Sequence, residues 1–248
     1  MSLKQAHLQS TFQEIGVTTE DVFSLKGWYA PAKDKKTTIV FFHGNKDSLI
    51  TAHTVAKPYI AAEYGFLLVE YRGYSGLPGE PSEEGLYADA RAYMNKLIAS
   101  GVAAKDIILF GHSLGSGVAT QMAMEYEVAG LMLLAPFSSL EEMAQLRFPF
   151  VPAHYLLLDR FDNDKKIPAL HMPLLVANGT KDTVVPPSQG KKLFALANEP
   201  KRFKSFPGFG HSDLFNDFAV VGLDWIQQIK TPEQPQEAEL SATVSPPQ

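Results

Sequence analysis

The stretch Ile107-Ile108-Leu109-Phe110-Gly111-His112-Ser113-Leu114-Gly115-Ser116-Gly117 constrains this chain more than any other. Four apolar residues of strand character run without a break into Gly-x-Ser-x-Gly, and a helix-forming run from Val118 to Glu127 follows. A chain that passes directly from a buried strand to a helix turns sharply. A serine at the apex of that turn sits in a strained backbone position with its hydroxyl above the sheet. Side chains at Gly111 and Gly115 would collide across the turn, which accounts for both glycines. Three fixed positions of common residues recur by chance roughly once in ten to fifteen chains of this length. The weight therefore comes from the strand before the motif and the helix after it.

The same alternation runs along the chain. Ile15 to Tyr29 predicts a strand pair that ends at Pro31, and Thr37 to Phe42 predicts a central buried strand leading into His43-Gly44-Asn45. Ser48 is placed to cap a helix reaching about Tyr64, and Phe66 to Tyr71 forms the next strand. A turn-rich loop, Arg72 to Gly79, precedes a helix from about Ser82 to Ser100. After the serine turn come strands at Gly130 to Ala135, Pro173 to Asn178 and Arg202 to Phe206, with helices at Gln189 to Ala197 and Asp213 to Ile229. Such alternation implies right-handed crossovers, an α/β fold, and a mostly parallel central sheet with helices on both faces. The expected organisation is an N-terminal segment over 1–14, a single domain over 15–230 and a disordered tail over 231–248, rich in Pro, Glu and Gln. Within the domain, about 138–168 reads as a short cap insertion crowded with aromatics, prolines and leucines.

Composition narrows the function classes. The 248 residues carry a net charge of −5, which gives no reason to expect a nucleic-acid partner. The absence of cysteine excludes thiolate metal sites, a cysteine nucleophile, disulfides and S-palmitoylation. No stretch approaches the length of an apolar membrane span, so no integral membrane anchor is expected. Met1 to Gln13 lacks the apolar core of a secretory signal, and a cytoplasmic location is the default expectation.

In a parallel sheet, active groups gather on loops at the carboxyl ends of strands. Ser113, Asp182, His211 and the His43-Gly44-Asn45 turn all fall at such ends. A serine hydroxyl needs a base within hydrogen-bond reach. His211, late in the chain on a glycine-bearing loop, is the candidate base and acid. Asp182 follows a buried strand and would orient it; Asp213, two residues from His211, is the fallback acid but reads better as a first-turn helix residue. The backbone N–H of Leu114, at a helix N-terminus, and that of Asn45 are the candidate oxyanion donors. His112, beside the serine, is expected to point elsewhere, and His43 to make a structural hydrogen bond. Phe137, Phe148, Phe150 and Tyr155 are candidate acyl-pocket residues, although aromatics so spaced are more often core. Nothing in this chemistry calls for a metal or cofactor.

Taken together, Phe42-His43-Gly44-Asn45, Tyr71-Arg72-Gly73-Tyr74, Gly111-His112-Ser113-Leu114-Gly115, Ala135-Pro136-Phe137-Ser138-Ser139, Asp159-Arg160-Phe161-Asp162, Gly179-Thr180-Lys181-Asp182 and Gly210-His211 resemble the α/β-hydrolase superfamily. Within it the similarity is to the Bem46-like branch that includes the abhydrolase 13 and 17 proteins, and it extends from about residue 37 to 215. The resemblance implies a Ser113–Asp182–His211 triad and hydrolysis of a small-molecule acyl ester or thioester. The abhydrolase 17 proteins remove palmitate from proteins and anchor through palmitoylated N-terminal cysteines, which this sequence lacks. Arg72 and Asp159 to Asp162 read as polar groups pinning a loop and the cap base. Two alternatives stand beside the ester reading: a peptidase or amidase of the same fold, and a binding protein on a hydrolase fold.

Overall fold

A computed structural model describes residue 3 and residues 7–33, 37–150 and 152–230. The expected tail lies outside these described residues. Among the described residues, eight strands form one sheet: β1 (Gln13–Thr18), β2 (Ser24–Ala30), β3 (Thr38–Phe42), β4 (Gly65–Leu68), β5 (Ile107–His112), β6 (Gly130–Leu134), β7 (Leu174–Gly179) and β8 (Lys201–Phe206). Their spatial order is β1-β2-β4-β3-β5-β6-β7-β8. The β1–β2 and β2–β4 pairings are antiparallel, and all the others are parallel. This is the mostly parallel α/β sheet that the strand and helix pattern predicts, in the arrangement that the resemblance to the α/β-hydrolases implies.

Among the described residues, eight α-helices connect and cover the strands: α1 (Leu49–Ala61), α2 (Glu83–Ala99), α3 (Leu114–Glu125), α4 (Leu140–Arg147), α5 (Ala153–Leu156), α6 (Asn163–Lys166), α7 (Pro187–Leu196) and α8 (Phe215–Lys230). Because strand side chains alternate, each central strand feeds two cores. Val40, Leu109 and Leu133 join the face covered by α2, α3 and α7, while Ile39, Phe110 and Met132 join the face covered by α1 and α8. Strands buried on both faces read as unbroken apolar runs, which is why β3, β5, β6 and β7 stand out in the sequence. The opening segment is part of this packing, since Leu3 and Phe12 are buried and Phe12 lies 6.2 Å from the Trp28 ring.

Helix starts follow capping chemistry. Ser48 and Thr51 form a reciprocal capping box at α1, and Ser82 Oγ accepts from Gly85 N at α2. After β6 the chain leaves the sheet for α4, α5 and α6 before it returns as β7. The base of this excursion is tied down by Glu83 on α2. Its Oε2 accepts from Arg160 N and Phe161 N at 2.7 and 2.8 Å, and Glu83 N donates to Asp159.

The strand order locates the functional end of the sheet. From β3 the chain goes outward to β4, then crosses back so that β5 lies on the other side of β3. The crevice outside the carboxyl ends of β3 and β5 is the switch point of the sheet, where ligands of such folds bind. His43-Gly44-Asn45 leaves one of those ends and Ser113 the other.

At that point the turn is held very tightly. A Cβ on Gly115 would lie 1.9 Å from the carbonyl oxygen of Phe42, and one on Gly111 would lie 2.5 Å from that of Gly115. Both neighbours are backbone and cannot swing aside. Gly115→Ala is therefore expected to destabilise the fold by about 3 kcal/mol or more, read as a lower urea midpoint. Gly16→Ala, where a Cβ meets nothing within 4 Å, serves as the control and leaves the midpoint essentially unchanged.

Candidate active site

Ser113 sits between β5 and α3 with φ 52° and ψ −118°, a positive-φ conformation that a non-glycine residue adopts at a cost. The surrounding structure holds it there. Its N–H donates to Leu134 O on β6 at 3.0 Å, and its carbonyl accepts from Ser116 N and Ser116 Oγ.

The loop after β8 brings His211 over this turn. Gly179, at the end of β7, lets the loop approach, since a Cβ there would be 2.4 Å from the carbonyls of Phe209 and Gly210. Lys181 N donates to Phe209 O at 2.8 Å. His211 Nε2 lies 2.9 Å from Ser113 Oγ, and Nδ1 lies 2.7 Å from Asp182 Oδ2. The Asp182 side chain is fully buried, and its other oxygen accepts from Val184 N and Val185 N, each at 2.9 Å. A carboxylate that accepts at both oxygens leaves Nδ1–H of His211 as the donor. Nε2 is then free to accept from the serine hydroxyl. Asp213 is occupied otherwise: its Oδ1 accepts from Gly210 N at 2.8 Å, closing the loop that carries His211.

The turn after β3 lies against the serine. A Cβ on Gly44 would sit 3.3 Å from Ser113 Cβ and 3.1 Å from His112 Nδ1. Asn45 is held by its side chain, whose Oδ1 accepts from Tyr74 Oη at 2.6 Å. Leu114 opens α3. The fold thus gathers Ser113, Asp182, His211, Leu114 and the Gly44–Asn45 turn at one end of the sheet.

The family model described as serine aminopeptidase, S33, matches residues 33–164, a span that includes the Ser113 turn. A protein of Mycobacterium tuberculosis is 38% identical over 222 residues, covering 88% of this chain and 79% of its own length. The bem46 protein of Schizosaccharomyces pombe is 28% identical over 241 residues, covering 89% of this chain and 79% of its own length. The chain is a Bem46-like α/β-hydrolase. A zebrafish relative, the lysophosphatidylserine lipase ABHD12, is 29% identical over 213 residues; the match covers 77% of the hydrolase and 54% of the longer relative. The Pyrococcus furiosus esterase Pf2001 superposes with a TM-score of 0.75 at 16% identity, covering 93% of the hydrolase and 94% of the esterase chain. That likeness extends the shared fold well beyond the reach of sequence.

Three polar groups of the hydrolase at this end of the sheet escape a reading by motif. His112 is buried and does not point away from the site. Its Nε2 donates to the carbonyl of His211 at 3.2 Å, and its ring lies 5.0 Å from the His211 ring. Asp47, 3.4 Å from His112 Nδ1, accepts from Gly44 N. Burial works to raise the pKa of Asp47, but His112, His43 and the Gly44 N–H outweigh it and hold the carboxyl below its ordinary value. Glu70, at the end of the β4 run, meets His43 at 2.8 Å. The available signal for Glu70 was an acid inside an apolar strand run, and for His112 an imidazole next to the serine. His53 and His154 lie apart from this group in their contacts: His53 Nδ1 meets Ile50 O within α1, and His154 meets Glu141.

The four candidate pocket aromatics separate. Phe137 is buried in the core with its ring 6.4 Å from Phe161, so it packs the base of the excursion rather than an open wall. Phe148, Phe150 and Tyr155 are exposed, with Phe150 99% accessible. Among the described residues no cluster of His, Asp or Glu is arranged to hold a metal ion, and no helix is long and apolar enough to cross a membrane.

Arg72 anchors the loop beside the site. Its Nε and one terminal nitrogen donate to Asp89 Oδ1 at 2.9 and 2.8 Å, its backbone N–H donates to Asp89 Oδ2, and the guanidinium also reaches Asp21. That hydrogen bond, with help from Thr19, lowers the Asp21 pKa to about 2. Asp89 is fully buried, and burial raises its pKa despite Arg72. Removing the guanidinium leaves that charge unpaired, so Arg72→Met should cost about 3 kcal/mol at neutral pH. A group whose folded pKa is raised favours the fold below that pKa, so the loss should shrink as the solution is acidified. Urea midpoints across the acid range check this; a loss of equal size at every pH would contradict it.

Proposed function

We propose that the protein is a serine hydrolase of carboxylic esters or thioesters, working through an acyl-enzyme on Ser113. The single observation that carries this reading is the continuous hydrogen-bonded chain Asp182–His211–Ser113, at 2.7 and 2.9 Å, on a strained turn at the switch point of the sheet. Ser113 Oγ attacks the acyl carbon while its proton passes to His211 Nε2, and Asp182 stabilises the imidazolium that forms. The tetrahedral oxyanion is met by the N–H groups of Leu114 and Asn45. It collapses as the C–O or C–S bond breaks, and His211 returns the proton to the leaving group. Water then repeats the sequence on the acyl-serine, releasing the acid and restoring the hydroxyl.

An apolar acyl group is favoured by the segment between β6 and β7, which we assign as the short cap. It exposes Leu146, Phe148, Phe150, Tyr155, Leu156 and Leu158. The names of relatives point the same way, one being a lysophosphatidylserine lipase and another an esterase. The description of the matched family, serine aminopeptidase, favours amide cleavage instead, in which His211 would protonate a leaving amine.

Labelling with a fluorophosphonate probe tests the reading, with activated esters, thioesters and an aminoacyl anilide as the substrate panel. Wild type should label and turn over esters or thioesters. Ser113→Ala should abolish labelling, and Ser113→Ala and His211→Ala should each lower turnover at least about 10³-fold. Turnover that survives Ser113→Ala would falsify the serine mechanism, and a preference for the anilide would assign the amidase alternative. A folded wild type that neither labels nor hydrolyses would favour the binding-protein alternative.

A further inference from the structure

Glu70 and His43 form a buried hydrogen-bonded pair that the acyl-transfer scheme does not use. Each side chain is 1% exposed, and Nε2 of His43 lies 2.8 Å from Oε1 of Glu70. Glu70 also accepts from Ser75 Oγ at 2.5 Å and from Leu49 N and Tyr71 N, each at 3.3 Å. Four donors around two oxygens define a carboxylate. Burial works to raise its pKa, but His43, Ser75 and Leu49 together hold it below the ordinary value.

The second ring nitrogen of His43 also faces an acceptor. Nδ1 lies 2.8 Å from the carbonyl oxygen of Gly44. With an acceptor at each nitrogen, only a ring that carries both protons satisfies the two contacts. It packs against Tyr71 and Tyr74, with ring centroids 4.6 and 5.4 Å away, and those faces suit a buried cation.

This geometry bears on the oxyanion site through one peptide bond. The Gly44 carbonyl belongs to the same peptide unit as the Asn45 N–H, and the Gly44–Asn45 bond is trans. In a trans unit the C=O and N–H point in opposite directions. Drawing the carbonyl toward His43 therefore turns the Asn45 N–H the other way. Asp47 N donates to the same carbonyl at 3.1 Å, and Tyr74 Oη holds the Asn45 side chain.

We infer that the His43–Glu70 pair is a positioning device that fixes the Gly44–Asn45 peptide so that the Asn45 N–H serves the oxyanion. The inference rests on the serine-hydrolase reading and assigns His43 and Glu70 no contact with substrate. Charge on Glu70 keeps the second proton on His43, and that proton keeps the Gly44 carbonyl in place. In Glu70→Gln the amide oxygen still accepts from Nε2–H, but a neutral ring turns a lone pair at Nδ1 toward the carbonyl. The carbonyl then keeps only the Asp47 N–H as donor, and the peptide is held less firmly.

The test compares wild type, Glu70→Gln and Ser113→Ala with an activated ester and with an alkyl boronic acid, which forms a tetrahedral adduct on serine. Glu70→Gln is expected to lower kcat about 10- to 100-fold, somewhat less than removal of an oxyanion donor. KM should stay within about twofold, and boronic acid affinity should fall in parallel with kcat. Unchanged kcat and boronic acid affinity, with or without a lower melting temperature, overturn the inference while loss of activity in Ser113→Ala leaves the serine reading standing. Ester hydrolysis that survives Ser113→Ala overturns both. Should Glu70→Gln fail to fold, nitrogen-15 spectra of histidine-labelled wild type decide the matter. Protons on both ring nitrogens of His43 at neutral pH support the inference, and a single proton overturns it.

Discussion

The approach of α3 to the end of β3 is the constraint on which the rest of this structure depends. Gly115 lies directly beneath the carbonyl of Phe42, so close that one methyl group would overlap it. That approach is possible only because the chain turns at Ser113 through a strained backbone conformation. It has two consequences. The serine is lifted above the sheet within reach of the loop after β8, and the Gly44 turn is brought against its side chain. Strain at one residue is tolerated because β3, β5 and β6 are packed on both faces and leave the turn no room to relax.

Around this contact, acids and histidines are paired rather than scattered. Asp182 spends one oxygen on the backbone of its own loop and the other on His211. Asp47 accepts from Gly44 and lies beside His112, and His112 donates to the backbone of His211. Glu70 and His43 hold the other side of the Gly44 peptide. Each histidine is thereby oriented by an acid or a carbonyl, and the three acids come from three different strand-end loops. Isolated buried charges would be prohibitive, whereas satisfied pairs are tolerable and rigid. Rigidity is what an oxyanion site needs, since donors aimed in advance cost nothing to reorganise as charge develops.

Much of this was legible in the sequence because burial on both faces writes itself as apolar runs. Those runs at Thr37–Phe42, Ile107–Phe110 and Gly130–Ala135 placed the central strands, and the parallel sheet then made strand ends the places to look. Ser113, Asp182 and His211 stand out by position at strand ends, and hydrogen bonds join them in the structure. What stayed hidden depends on pairing between distant segments. Glu70 meets His43 across 27 residues and His112 meets His211 across 99, and no local pattern records either. Phe137 and Phe148 look alike in the sequence, yet one packs the base of the excursion and the other faces solvent, because only the first follows directly from a buried strand.

The central claim is that acyl transfer passes through Ser113. Rapid quenching of the protein with a slowly deacylating aryl ester, followed by mass mapping of its peptides, tests this most directly. The account predicts a burst of phenol, with the acyl mass on the peptide that carries Ser113. Steady turnover with no covalent adduct, or an adduct confined to another residue, would contradict it.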